Sequence, residues 1–166
     1  NDGDIDIVSG GYTGGPNWNN GVYWFENNGS ESFTQHTIAS VTHWAQSVDV
    51  ADLDHDGDLD VLTFGVIGSR LEYHQNFSVE NGFGYDSLDY EMKNACWGHF
   101  RETGFNTNTC ILFDTCTSNV ANPHSSTSPK HSGSTILSLD LNNDNVKDVI
   151  LGDVSFGNLV ALKNDN

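Results

Sequence analysis

The sequence predicts an all-β chain assembled from repeated strand units. Short apolar runs of strand length alternate with turns rich in Gly and Asn, helical periodicity is absent, and one segment pattern recurs along the chain. The 17 glycines and 11% aromatic content fit a turn-rich β protein. An acidic, Gly-rich composition also permits disorder, but Trp18, Trp24, Trp44 and Trp97 sit with Val, Ile and Leu in short periodic runs, which argues for a packed core.

The recurring pattern centres on an acidic loop. In the stretch ADLDHDGDLDVL, five aspartates (Asp52, Asp54, Asp56, Asp58 and Asp60) occupy nine positions. Asp140-Leu-Asn-Asn-Asp-Asn-Val-Lys-Asp148 repeats it, with oxygen-bearing side chains at positions 1, 3, 5 and 9, and Asn1 to Asp6 matches positions 4 to 9. Before each full loop lies a strand-like run, HWAQSVDVAD or HSGSTILSLD, with His43 and His131 each nine residues ahead of the first aspartate. The loops lead into IVSGG, VLTFG and VILGD. Farther on come GVYWFENNG, RLEYHQN and NLVALKNDN, each an extended run ending at an Asn-rich turn, with SFTQHTI as a fourth strand in the first copy.

From Asp6 to Asp60 is 54 residues, close to the roughly 40–50 of a four-stranded propeller blade. The expected architecture is therefore a partial β-propeller, two to three four-stranded blades with cation-binding hairpin loops, over residues 1–166. The 88 residues from Asp60 to Asp148 imply an insertion of 34 residues in the second unit. It is placed at about 78–130, with a short helical turn near Tyr90 to Ala95 as its only helix. Residue 1 falls inside an acidic loop and Asn166 at a hairpin turn, so the chain is expected to be an internal piece of a longer repeat protein.

Crowded carboxylates demand compensation, since two of them 4 Å apart repel by about 4 kcal/mol at an effective dielectric near 20. The chain carries 23 acidic residues against 6 basic ones, a formal charge of -17, so cations are its expected partners and nucleic acid is not. No run approaches the roughly 18 apolar residues of a membrane helix, so no membrane insertion is expected. The opening NDGDIDIVSGG has neither the basic nor the apolar region of a secretory signal.

Hard oxygen donors at alternate positions suit Ca²⁺, which takes six to eight such ligands with loose geometry. The expected ligands are Asp52, Asp54, Asp56, Asp58 and Asp60 in the strongest loop. Asp140, Asn142, Asp144, Val146 and Asp148 form a weaker one, and Asp2, Asp4 and Asp6 remain of the first. Position 7 is Asp4, Asp58 and Val146 in the three copies, so its shared ligand is the backbone carbonyl. Position 9, always Asp, closes the shell. Gly57 at position 6 permits a sharp turn with positive φ, and Asn145 is the next best residue there. An EF-hand is excluded, because position 12 is Thr63 or Leu151 and the flanks are β-like. Asp, Asn and Gly also build plain solvated turns; recurrence in register favours the ion.

The D-x-D-x-D-G-x-x-D loop between strands, followed by WFENNGSESFTQHTI and the next VDVADLDHDGDLDVL, resembles the FG-GAP/VCBS repeat family over most of residues 1–77 and 131–166. Members include the blades of integrin α-subunit propellers and many secreted bacterial proteins. The resemblance implies a β-propeller with calcium in a hairpin loop of each blade, in a secreted or cell-surface protein.

Cys96, Cys110 and Cys116 lie in the insertion, where three pairings are open; an extracellular setting favours one disulfide. A Cys₃His zinc site with His99 is the rival use. His43 and His131 share a register that suggests a structural place, and His36, His55, His74 and His124 are expected at the surface. Tyr12, Trp18, Trp44 and Trp97 could stack on sugars or serve as core; GYTGGPNWNNG is the best binding-loop candidate.

No nucleophile-elbow, zincin, phosphate-loop or dinucleotide motif occurs. The expected function is a non-enzymatic, calcium-stabilised scaffold that presents a surface to a glycan or an extracellular protein and packs against the rest of a parent propeller. The rivals are part of a propeller-based polysaccharide-degrading enzyme and a purely structural repeat of a surface fibre.

Overall fold

The computed structural model describes residues 4–12, 20–41, 47–65, 70–83, 87–105, 108–114, 116, 134–153 and 157–165. Every regular element among them is a β-strand, and every pairing is antiparallel. Strands β1 (Ile7–Tyr12), β2 (Asn20–Asn27) and β3 (Phe33–Val41) make the first sheet. Strands β4 (Val48–Ala51), β5 (Asp60–Phe64), β6 (Leu71–Asn76) and β7 (Tyr90–Trp97) make the second, in sequence order. A hairpin of β8 (Phe100–Phe105) and β9 (Asn108–Phe113) follows, and β10 (Ser134–Leu139), β11 (Asp148–Asp153) and β12 (Leu159–Leu162) make the last sheet.

The sheets are copies of one meander. β1, β5 and β11 each start where an acidic loop ends; β2, β6 and β12 each follow as the next strand; β3 and β7 take the fourth place. A register shift recurs between third and fourth strands, at Val22/Tyr23 and between Leu71 and His74, where an extra residue increases the local twist. The architecture is thus all-β and propeller-like, with one four-stranded blade flanked by two three-stranded ones.

The fourth strand of the central blade corrects the helical turn expected near Tyr90 to Ala95. Those residues pair with β6 from Asn76↔Tyr90 to Leu71↔Trp97. They lie within the stretch that repeat spacing assigned to the insertion. Spacing located surplus length, but β7 has mixed polarity, YEMKNACW, and only Cys96 within it is buried, so it lacks the apolar alternation by which a strand is read.

Blades pack face to face, and the alternation along β5 feeds two cores. Val61 joins Val22, Trp24, Ile38 and Ala39 of the first blade. Leu62 and Phe64 point the other way, joining Leu71, Tyr73, Phe100, Ile136, Val149 and Leu151. All five residues of β5 are buried in consequence, and each large aliphatic side chain so covered contributes about 1.5–3 kcal/mol. Trp97 packs half-buried against the second core, which assigns it to packing. Inner strands β4 and β10 meet through polar groups: Ile136 N–H donates to Ser47 Oγ, and Ser138 donates its N–H and hydroxyl to Asp49 Oδ2.

The Cys96 and Cys116 sulfurs form a disulfide, so the thiols needed for the zinc alternative are consumed. It ties β7 to the chain beyond β9, and closing a loop of this length stabilises by roughly 3 kcal/mol in the chain-entropy model. Trp18, Trp44, His43, His124, His131 and Asp2 lie outside the described residues, as does most of the GYTGGPNWNNG loop.

Candidate metal centre

The Asp52 loop leaves β4 at Ala51 and re-enters the sheet at Asp60. Within it, the carboxylates at positions 3 and 5 cap the backbone two residues on: Asp54 Oδ1 accepts from Asp56 N–H (3.4 Å), and Asp56 Oδ1 from Asp58 N–H (3.0 Å). These Asx turns curl the chain so that alternate side chains converge. The curl needs positive φ at position 6, met by Gly57 (φ 100°) and Asn145 (φ 68°) as their residue types require. Position 4 also lies in the left-handed region, at His55 (φ 67°) and Asn143 (φ 63°).

Asp60 is fully buried and holds the loop shut. Its Oδ2 accepts from Leu53 N–H (2.9 Å) and the Tyr73 hydroxyl (3.3 Å), and its Oδ1 from Asn76 N–H (2.9 Å). Asp148, equally buried, repeats the arrangement with Leu141 N–H (2.9 Å) and Asn164 N–H (2.8 Å), and Asp6 takes Asn27 N–H (2.8 Å). Position 9 therefore ties the loop to an Asn at, or two residues past, the end of the next-but-one strand of its blade. That structural duty explains why all three copies carry Asp there. The Asn partners were visible in the sequence only as turn residues.

Two sets of oxygens come within 4.8 Å of one another and could hold a metal ion: those of Asp52, Asp54 and Asp60, and those of Asp54, Asp56 and Glu80. Glu80, from the turn after β6, lies outside the nine-residue motif and was missed for that reason. Asp58 points its carboxylate to the same side, where Oδ2 accepts from Val79 N–H (3.2 Å). Three loop oxygens are buried and accept no hydrogen bond: Asp52 Oδ1, Asp56 Oδ2 and Asp58 Oδ1. A buried carboxylate oxygen without a donor costs about 1–3 kcal/mol or more, so three together fit a cation as their missing partner.

The electrostatics agree. In the protein's own field, burial pushes Asp60 up to about 6, with Asp54 and Asp58 adding to the rise against the N–H groups of Asn76 and Leu53. Burial likewise pushes Asp58 up to about 6, with Asp56, Glu80 and Asp54 adding to it. Asp54 is raised by burial and by Asp56. Tyr73 and Tyr90 are also raised, first by burial and then by the facing aspartates.

The Asp140 loop has the same backbone but satisfies itself. Asp140 is partly desolvated, yet N–H groups of Asn145 (2.8 Å), Asp144 (3.1 Å), Asn143 and Asn142 hold its carboxyl below the usual range. Asn142 donates to Asp144 Oδ2 (2.7 Å), and Asp144 Oδ1 accepts from Val146 N–H (2.9 Å). The loop tips touch, His55 Nε2 meeting the Asn145 carbonyl. Of the histidines expected at the surface, His55 is exposed and His36 half-buried, stacked on Trp24 and bonded to Glu26. His74 is 4% exposed, a correction: it faces inward from β6, beside Glu72.

Residues 1–63 match the family model described as an FG-GAP-like repeat. The match runs from the first acidic loop through the whole first sheet and the Asp52 loop into β5. No curated protein and no solved structure gives a match. Among the described residues no helix is long and apolar enough to cross a membrane.

Proposed function

Because residues 1–63 are an FG-GAP-like repeat, a unit typical of extracellular propeller-like scaffolds that commonly bind calcium, we propose that this chain is a calcium-stabilised, non-catalytic segment of such a scaffold. The observation that carries the calcium reading is the set of three buried, partnerless carboxylate oxygens in the Asp52 loop. Calcium is favoured over magnesium because the donors are all oxygens on a flexible loop, whereas Mg²⁺ keeps most of its water. An ion bound only by the curled loop stabilises the folded state through linkage. It fixes the β4–β5 connection, and through Asp60 the end of β6 as well. The stiffened blades then carry a recognition surface for a glycan or an extracellular protein.

The test is calorimetric titration of the calcium-stripped chain. Saturable Ca²⁺ binding that weakens at least tenfold in Asp52→Asn supports the proposal. Absence of Ca²⁺ binding to a folded chain overturns it. An array of immobilised extracellular glycans, probed with and without calcium, tests the recognition role; no retention of a calcium-loaded chain refutes glycan binding.

A further inference from the structure

The central blade gathers more negative charge than one ion can offset. Asp52, Asp54, Asp56, Asp58, Asp60 and Glu80 converge, and one divalent cation would leave four of the six charges uncompensated. Their oxygens fall into two sets sharing only Asp54, one completed by Asp52 and Asp60 and the other by Asp56 and Glu80. Calcium–oxygen bonds of about 2.3–2.6 Å let opposed ligands stand about 5 Å apart, so each set by itself spans one ion. Each also contains its own buried oxygen without a donor, Asp52 Oδ1 in the first and Asp56 Oδ2 in the second.

We infer that Asp54, Asp56 and Glu80 form a second hard-cation site beside the loop's own, with Asp54 bridging the two ions. This rests on the reading of the Asp52 loop as a calcium loop. Three further features converge on the second position. Asp58, 6% exposed, keeps Oδ1 buried and partnerless. Its other oxygen holds Val79 N–H, which fixes the backbone next to Glu80. Gln75, 6% exposed, aims its amide between the two carboxylates, with Nε2 bonded to Asp54 Oδ2 and to Glu80 Oε1 (2.7 Å).

The Gln75 amide is a donor to those oxygens from the protein alone. Turned over about its terminal torsion, it presents Oε1 at nearly the same place, a neutral hard ligand for a cation between Asp54 and Glu80. The second ion would thus link the acidic loop to the β6–β7 turn, a crosslink the nine-residue motif cannot make.

Glu80 is exposed on a turn, so Glu80→Gln leaves the fold intact, as a circular dichroism spectrum will verify. The chain is stripped, loaded with Mn²⁺ and examined by electron paramagnetic resonance, with bound ions counted by native mass spectrometry. Two ions sharing a carboxylate sit about 3.5–4 Å apart and couple magnetically. The expected result is a coupled signal in the unmodified chain, lost in Glu80→Gln together with one ion per chain. An unmodified chain showing only uncoupled Mn²⁺, or a Glu80→Gln variant with an unchanged ion count, overturns the second site and leaves the loop site standing. A chain that binds no Mn²⁺ and no Ca²⁺ overturns both.

Discussion

The two complete acidic loops share their curl and their anchor and diverge in what surrounds them. Both place positions 4 and 6 at positive φ, and both hang from a fully buried aspartate that accepts backbone N–H groups from two directions. In the Asp140 loop, however, the carboxylate oxygens of Asp140 are occupied by the loop's own N–H groups. In the Asp52 loop the equivalent Asp52 Oδ1 is buried without a donor, and Asp56 and Asp58 each leave one such oxygen. One curl thus occurs in two states, with its first carboxylate taken by the loop's own N–H groups or with several oxygens left buried and unbonded. The loop flanked by Glu80 and Val79 is the more buried of the two.

The largest expected effect tests what the loops share. Asp60→Ala strips acceptors from Leu53, Asn76 and Tyr73 in a dry site, and at about 1–3 kcal/mol for each orphaned group the variant should lose more than about 3 kcal/mol in urea unfolding. Asp148→Ala orphans Leu141 and Asn164 and should lose less. Equal losses would mean that the Tyr73 bond contributes nothing.

Next in size is calcium withdrawal, which tests where the loops part. A ligand at 100 times its Kd stabilises by about 2.7 kcal/mol, worth roughly 5–10 °C in Tm for a chain of this length. That increment should vanish in Asp52→Asn and largely survive in Asp140→Asn when each is melted with calcium and with chelator. Acidity should then separate loaded from stripped protein. Asp58 and Asp60 rise to about 6 in the folded chain from about 3.9 unfolded. The stripped fold therefore holds their protons longer than the unfolded chain does. Its stability is fullest below about pH 4 and falls as pH climbs through about 6. Calcium competes with those protons, so the loaded fold gains stability over the same interval. Parallel slopes with and without calcium would show that neither aspartate feels the ion.

Much of this was legible in the sequence because it rests on local rules. The two-residue alternation of oxygens, the turn residue at position 6 and the strand after each loop are short-range, and Asn145 in place of glycine was readable from its tolerance of left-handed backbone. What escaped needed tertiary contacts. Glu80 reaches the site from the β6–β7 turn, and β7 hides as a mostly exposed outer strand. His74 is a polar residue turned inward by the register of β6, and Asp49 carries no motif yet receives Ser138 across blades. The choice among cysteine pairings likewise needed the hairpin in place before Cys116 could meet Cys96.

A smaller effect sharpens the backbone comparison. Gly57→Ala puts a side chain at φ 100°, where open space surrounds the new carbon, so the cost is conformational, about 1–2 kcal/mol. Asn145→Gly relieves a milder strain and should change stability by only a few tenths of a kcal/mol. Urea midpoints of the two variants give the ratio directly. A Gly57→Ala loss well above this range would point to a contact at the loop tip beyond the backbone preference.

The smallest effect concerns whether the loops act on one another. His55 Nε2 meets the Asn145 carbonyl at the only hydrogen bond between the two loop tips among the described residues. That carbonyl belongs to a residue whose N–H already holds Asp140 Oδ2. His55→Ala should therefore cost about 0.5–1.5 kcal/mol and free the Asn145 peptide to shift, loosening the grip on Asp140. A double-mutant cycle with Asp140→Asn separates the alternatives, because residues in one hydrogen-bond chain show interaction energies of about 0.5 kcal/mol or more while independent sites add. Additive losses would mean that each blade keeps its own loop. A measurable coupling would mean that a change at the tip of the Asp52 loop is felt by the self-satisfied loop beside it, through one imidazole and one peptide.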